Sequence, residues 1–350
     1  MRFLCLDEPY LRIYKMRIMY IMSNNIRLIL LLCAMTLHPG SAYAQPMSSS
    51  LYPARMIKIV VPYLPGGGVD TAARVIGQKM ADHLNQTIVI DNKPGAATNI
   101  GSDYVAKSPP DGYTLLLTNS SQVANVSIYG KAMPYDLLRD LAPVSMIGTT
   151  PVLLVVHPSL PVKTPRDLIA LARGKPGMLT FASAGIGSPT HIAPELFRWM
   201  AKLDMLHIPY KGGSQAVIDV IGGQVTCYFS AMSTGLPLAK SGRLRALAVT
   251  SPRRFTAAIP EIPTVAESGL PGYELVGWFA LMLPAATPSE VVSRLNASAV
   301  LAVRSAGMTE RLHSEGIEPV ASTPQEFDAF TRKELVKYEK LVRAARIRPE

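Results

Sequence analysis

Cysteine is scarce in this chain of 350 residues: Cys5, Cys33 and Cys227 are the whole supply. The first two precede a predicted export cut, so the exported part keeps Cys227 alone and cannot form an intrachain disulfide. Cys227 sits in the apolar run Val225-Thr226-Cys227-Tyr228-Phe229, which suits a small buried hydrophobe. Membrane-spanning runs are missing as well; after Ala44 nothing approaches the roughly 20 apolar residues a helix needs to cross a bilayer. Lys and Arg outnumber Asp and Glu, 35 to 25, but no basic run is interleaved with aromatics, which argues against nucleic acid. There is no H-E-x-x-H, no cysteine pair and no His cluster at ligand spacing, so no metal is expected. The glycine turn at Gly66 lacks both G-x-G-x-x-G spacing and a P-loop lysine, so no nucleotide cofactor is expected either.

What is present begins with a short apolar segment, Leu28 to Leu37, preceded by Arg27 and followed by Ala42-Tyr43-Ala44. That is the charged, apolar and small-residue order of a cleaved signal peptide, with the cut after Ala44. Met22 gives a signal of ordinary length, which makes 1–21 an over-extended start, with Met16 and Met19 as other starts. Cys33 is not set in a convincing lipoprotein cleavage box, so a soluble exported protein is expected rather than a lipid-anchored one. Removing five basic and two acidic residues with the signal leaves 30 against 23, a net +7, suited to solubility and a mild attraction of anions.

Strand-like and helix-like stretches then alternate almost throughout. Ile57 to Val61 reads as a strand and Val69 to Leu84 as a helix, with Val69, Ala72, Ala73, Ile76, Met80 and Leu84 on one face. Thr87–Ile90, Tyr113–Leu117, Val152–Val156, Leu179–Ala182, Leu206–Pro209, Val225–Phe229 and Leu244–Val249 read as further strands. Helices are expected over 101–107, 165–173, 190–201, 214–221, 288–305 and 324–343. The order predicts an α/β protein with largely parallel sheets. No linker, repeat or low-complexity tract separates two domains, so strands must cross between them. Val152–Val156 and Leu244–Val249 are the candidates. They give a discontinuous first lobe, 45–151 with 247–350, and an inserted second lobe, 152–246, with the ligand in the cleft between.

Two helix starts carry the chemistry. Tyr63-Leu64-Pro65-Gly66-Gly67-Gly68 leads from a strand straight into a helix, and bare amides at such a start suit an anion. Ala182-Ser183-Ala184-Gly185-Ile186-Gly187-Ser188-Pro189-Thr190-His191 repeats the arrangement, with Ser188 as N-cap and Pro189 at the first helical position. His191 in the first turn should be neutral, because the positive helix end disfavours its charged form. Both turns also have a plain structural reading, in which Asp70 and Ser188 cap and His191 packs. Thr118-Asn119-Ser120-Ser121 lies at the carboxyl end of a strand, where ligands gather in α/β sheets. Tyr210 is placed to line the cleft, and Lys211 to pair with an acid or to stand in solvent. The expected binding set is Tyr63, Leu64, Pro65, Gly66, Gly67, Asn119, Ser120, Gly187, Ser188, His191, Tyr210 and Ser230.

At these residues the chain resembles the extracytoplasmic solute receptors of tripartite tricarboxylate transporters, the TctC or Bug family. Further matching pieces are Lys93-Pro94-Gly95-Ala96, Pro110-Asp111-Gly112-Tyr113, His157-Pro158-Ser159-Leu160-Pro161, Ile208-Pro209-Tyr210-Lys211-Gly212, Ser241-Gly242-Arg243-Leu244 and Pro263-Thr264-Val265-Ala266-Glu267-Ser268-Gly269. They follow family order from about residue 52 to the C-terminus. The resemblance implies a type II periplasmic-binding-protein fold, two lobes with hinge strands and a central ligand cleft. It also implies a ligand carboxylate held by the turn after the first strand, often through waters, and delivery to membrane permease subunits. Some members place an acidic residue after the strand ending here at Phe229, suited to a ligand amino group. This chain has Ser230 there, so the expected ligand is a mono- or dicarboxylate or an aromatic acid without an amine. Ala97 and Thr98 stand where glycine is common in the family. A monomer is expected.

Two other functions compete. A ligand-sensing receptor that signals to a membrane sensor kinase needs the same closing cleft. A hydrolytic α/β enzyme using Ser188 and His191 is the remote alternative, but Gly187-Ser188-Pro189 is not a G-x-S-x-G elbow. The expected protein is not an enzyme.

Overall fold

The computed structural model describes residues 52–349 and, within the segment Met1–Ser48, residues 16, 17, 19 and 20, which are helical and exposed. The expected signal segment and its cut after Ala44 otherwise lie outside the described residues. Ser49–Glu350 forms one compact unit.

In chain order this unit runs β1 (Ile57–Val61), α1 (Gly68–Leu84), β2 (Ile88–Asn92), α2 (Asn99–Ala106), β3 (Thr114–Asn119), α3 (Ser121–Tyr129), α4 (Leu137–Asp140) and β4 (Leu141–Val156). It continues through α5 (Pro165–Gly174), β5 (Thr180–Ser183), α6 (Pro189–Ala201), β6 (Leu206–Pro209), α7 (Gly213–Ile221), β7 (Cys227–Ala231), α8 (Met232–Lys240) and β8 (Arg245–Val249). It ends with β9 (Val276–Pro284), α9 (Ser289–Arg304), α10 (Met308–Ser314), β10 (Glu318–Pro319) and α11 (Pro324–Ala344). Helix starts follow local chemistry. Thr164 and Thr323 each head a capping box, with Asp167 and Glu326 reaching back, and each is followed by proline at the first helical position.

The strands lie in the order β2-β1-β3-β9-β4-β7-β5-β6, with β8 and β10 pairing β4 off this path. β1 pairs β2 and β3 in parallel, and β5 pairs β6 and β7 in parallel. β9 and β4 run antiparallel to their neighbours, so the sheet is mixed rather than largely parallel. Both are long strands, 16 residues in β4 and 9 in β9, that thread the middle of the sheet.

β4 divides the architecture into two lobes. Its first part, Leu141 to Pro151, pairs with β9; its last part, Val152 to Val156, pairs with β7 and β8. Pro151 and Val152 are therefore where one strand passes from pairing with β9 to pairing with β7. One core cluster packs around Ile59, Leu115 and Leu281 in the first lobe, and another around Val155, Tyr228 and Leu236 in the second. A third runs between them through Leu116, Leu154, Phe229 and Trp278. Cys227 is buried within it, and burial pushes its thiol up to about 12, which leaves it an inert packing group.

Candidate functional site

The glycine turn after β1 is shaped by a side chain behind it. Gly66 has φ +79°, a conformation that favours glycine. Its amide donates to Asp70 Oδ2 at 2.9 Å, and Asp70 also accepts from Arg74 Nε at 2.9 Å and Asn92 Nδ2 at 3.0 Å. Burial alone would push the Asp70 carboxyl up, but these bonds prevail and hold it below the ordinary carboxylate value. Asp70 is not the N-cap; that position is Gly67, and Asp70 reaches back to fasten the turn. Its charge is spent on Arg74, so the helix end stays attractive to an anion.

The second turn is fastened differently. Ser188 occupies the N-cap position of α6, yet its hydroxyl donates to Gly185 O at 2.6 Å and meets Thr190 Oγ1 at 2.9 Å instead of capping. Thr190 Oγ1 accepts from Ala184 N–H at 2.8 Å. His191 Nδ1 accepts from Gly187 N–H at 3.1 Å, and its ring stacks on His207 with centroids 4.2 Å apart. His191 is held well below its ordinary pKa by burial first, then by His207 and Arg198. It is neutral as expected, but burial is the leading cause.

These two turns meet at one cavity of about 50 Å3 between the lobes, room for one or two waters. Tyr63, Gly67, Gly68 and Val69 line it from the first turn, and Ala184, Ser188, Pro189 and Thr190 from the second. Asn119, at the end of β3, and Gly213, at the start of α7, add polar edges. Thr150, Pro151 and Val152 of β4, Tyr228 and Ala231 of β7, and Trp278 and Phe279 of β9 complete the walls. Among the described residues no charged side chain lines it. Four helices, α1, α6, α7 and α8, begin at or beside the cavity, with N-caps Gly67, Ser188, Gly212 and Ala231. In α1 the first backbone bond runs from Thr71 N–H to Gly67 O, so the amides of Gly68, Val69 and Asp70 have no acceptor within the helix. Each such end carries roughly half a positive charge.

Of the expected binding set, Tyr63, Gly67, Asn119 and Ser188 come together on the cavity wall. Tyr63 donates its hydroxyl to Asn119 Oδ1 at 3.1 Å, with Ser121 Oγ at 3.2 Å as the alternative acceptor. The others lie elsewhere. Leu64, Pro65 and Gly66 form the mouth, where Pro65 O accepts from Ser214 Oγ across the cleft. Ser120 is buried behind Asn119. Gly187 packs on Asn125, and His191 lies beneath the turn. Tyr210 turns away to donate its hydroxyl to Asp219 on α7. Ser230 is buried against Gly235, its hydroxyl donating to Ala231 O, and Ala231 is the residue that faces the cavity. The walls from β4 and β9 were missed. The nine-residue apolar run Val276–Pro284, flanked by Pro271-Gly272, was the signal that marked β9.

Residues 72–347 match the family described as "Tripartite tricarboxylate transporter family receptor", TctC. The chain is 39% identical to Protein BugT of Bordetella pertussis over 301 residues, 86% of this chain and 92% of that one. It is 37% identical over 310 residues to a protein in the tcbD-tcbE intergenic region of Pseudomonas sp., 88% of this chain and 91% of that one. Among solved structures it is similar to R. palustris Rpa4515 with adipate, with TM-score 0.83 and 36% identity, over 85% of this chain and 100% of that one. MatC from Rhodopseudomonas palustris with bound malate gives TM-score 0.79 and 29% identity, over 83% and 100%. Two lobes, hinge strands and a cleft of converging helix starts accompany these likenesses, and the chain belongs to the tripartite tricarboxylate transporter receptor family, TctC, whose members are periplasmic solute receptors.

Proposed function

We propose that the two lobes close on a small organic carboxylate lacking an amino group and that the receptor hands it, chemically unchanged, to the permease subunits of a tripartite tricarboxylate-type transporter. The observation that carries this reading is the cavity itself: four helix N-termini and, among the described residues, no charged side chain. An anion there is held by backbone amides. An ammonium group finds no carboxylate, and burying it unpaired is costly. The relatives solved with adipate and malate carry acids of this class. Four or five charge-assisted bonds, at about 1.5–3 kcal/mol each, less an association cost of about 4 kcal/mol or more, suit affinities around micromolar.

The binding set in this reading is the cavity lining, with Leu64, Pro65 and Gly66 as the closing lip. A cavity of about 50 Å3 is smaller than a four- to six-carbon acid, so entry requires the lobes to part about β4 and β9. Strand pairing supports a first lobe through Pro151, a second from Val152, and a return to the first at Val276. The return is later than residue 247, because β8 pairs with Leu153 to Val156 of the second lobe. Hydrolysis at Ser188 is disfavoured, since its hydroxyl donates to Gly185 O and His191 Nδ1 is taken by Gly187 N–H. Export with a cut after Ala44 belongs to the same reading and is checked by intact mass of the exported protein.

Calorimetry with adipate, malate, aspartate and glutamate tests the function. Micromolar binding of the simple acids and weaker binding of the amino acids is expected. A preference for aspartate or glutamate, or no acid bound at all, overturns it.

A further inference from the structure

One hydroxyl on the cleft wall makes no hydrogen bond in this closed fold, although Thr190 stands beside it on the same wall. Tyr228, on β7, is fully buried and lines the cavity, and its hydroxyl has no hydrogen-bond partner. Tyr63, which faces the same cavity from the first lobe, has its proton committed to Asn119 or Ser121. A buried donor left unbonded is unfavourable and rare, and the exceptions mark function. The surrounding chain also keeps space for this hydroxyl. α7 opens on Gly213, where a Cβ would stand 2.8 Å from the Tyr228 oxygen. No left-handed φ requires glycine at that position; the tyrosine oxygen does.

We propose that the Tyr228 hydroxyl is a specificity-determining donor for a second acceptor group of the ligand, a carboxylate or carbonyl oxygen remote from the carboxylate held at the glycine turns. The inference rests on the carboxylate-receptor reading above. Val152, Trp278 and Phe279 supply apolar wall for the carbon chain between the two groups. Burial raises the phenol well above its ordinary pKa, so it remains a donor wherever carboxylates are ionised. A monocarboxylate with an alkyl tail leaves this donor unbonded, and a site built around a hydrogen bond discriminates strongly against a ligand lacking its partner.

Matched pairs of acids test it by calorimetry on the exported protein: succinate with butyrate, and adipate with hexanoate. In the wild type the diacid of the better-binding pair should bind about tenfold or more tighter than its partner. Tyr228→Phe should remove most of that ratio by weakening the diacid far more than the monoacid. Gly213→Ala, which crowds the hydroxyl without deleting it, should reduce the ratio in the same direction. If the wild type binds the acids but the ratio survives both substitutions, Tyr228 has no such role while the carboxylate reading stands. If the wild type binds none of the four acids, both readings fall. Melting curves identify a variant that has lost its fold, in which case the other variant decides.

Discussion

The hydroxyl of Ser214, at the start of α7, donates to the carbonyl oxygen of Pro65 at 3.2 Å, joining a second-lobe helix to the first-lobe turn. Leu64 lies against Gly212 beside it, so the mouth of the cleft is fastened by one polar and one apolar contact. Ser214→Ala removes the bond and leaves the cavity wall intact. A bond of this kind contributes about 0.5–1.5 kcal/mol. Release of a bound acid in stopped-flow experiments should therefore be roughly two- to tenfold faster, with association little changed. An unaltered off-rate would show that the lip does not hold the closed form.

Asp70 contributes to behaviour in acid. Its folded pKa is lowered, so the folded state binds this proton less readily than the unfolded chain. The stability it supplies is complete above the unfolded value near 3.8 and is lost as pH falls through the folded value. Asp70→Asn should flatten the wild-type loss below about pH 4. At pH 7 it should also cost about 1–3 kcal/mol, because the Arg74 pair and the charged acceptor for Gly66 are lost. Urea titrations across that range measure both effects.

His191 acts at milder pH. Its folded pKa lies well below the reference value of 6.5, so the unfolded chain takes up the proton first as pH drops. Stability is complete above the unfolded value and declines from there toward the folded value. His191→Gln, with a side chain that can still accept from Gly187, should remove His191's share of the decline between about pH 7 and 5. Urea midpoints at those two values give the slope, and equal slopes in wild type and variant would contradict the assignment.

Ala96, Ala97 and Thr98 hold φ of 44°, 52° and 78° in succession. Left-handed backbone costs an L-residue about 1–2 kcal/mol. Asn125 holds the segment, donating to Ala97 O at 2.6 Å and Thr98 Oγ1 at 3.2 Å. Ala97→Gly relieves one strained residue but frees the unfolded chain, for a net gain of about 0.5–1 kcal/mol and a rise of about 1–3 °C in Tm. Asn125→Ala should lower Tm by more than that. A lower Tm for Ala97→Gly would mean the strain is absent.

Much of the frame was legible because alternation and caps are local. The segments around β1, β3, β5 and β6, and the helices after Gly67 and Ser188, follow from apolar spacing and turn residues within a few positions. The first half of β4 was not legible. Pro143, Gly148 and Pro151 interrupt its apolar pattern, and its register with β9 slips between Pro143 and Ser145 and again between Met146 and Gly148. β9 is buried along almost its whole length, so it shows no period of two, and α3 hides its buried face behind Gln122 and Asn125. The same gap explains the site. Glycines and small hydroxyl residues announced the two turns, but Thr150, Pro151, Val152, Trp278 and Phe279 come from strands with no such signature. Tyr210 was placed by the strand end before it and Ser230 by the family resemblance; the Asp219 carboxylate and the Ala231 carbonyl take their hydroxyls instead.

Because Leu141–Pro151 of β4 pairs with β9 and Val152–Val156 pairs with β7, the two parts of the sheet share one strand. A fragment ending at residue 151 loses β9 and leaves β3 and the first part of β4 with raw edges that invite aggregation. Heating the intact receptor should accordingly melt both halves in a single transition, and the swing that admits a ligand has to be absorbed by twist along one uninterrupted ribbon.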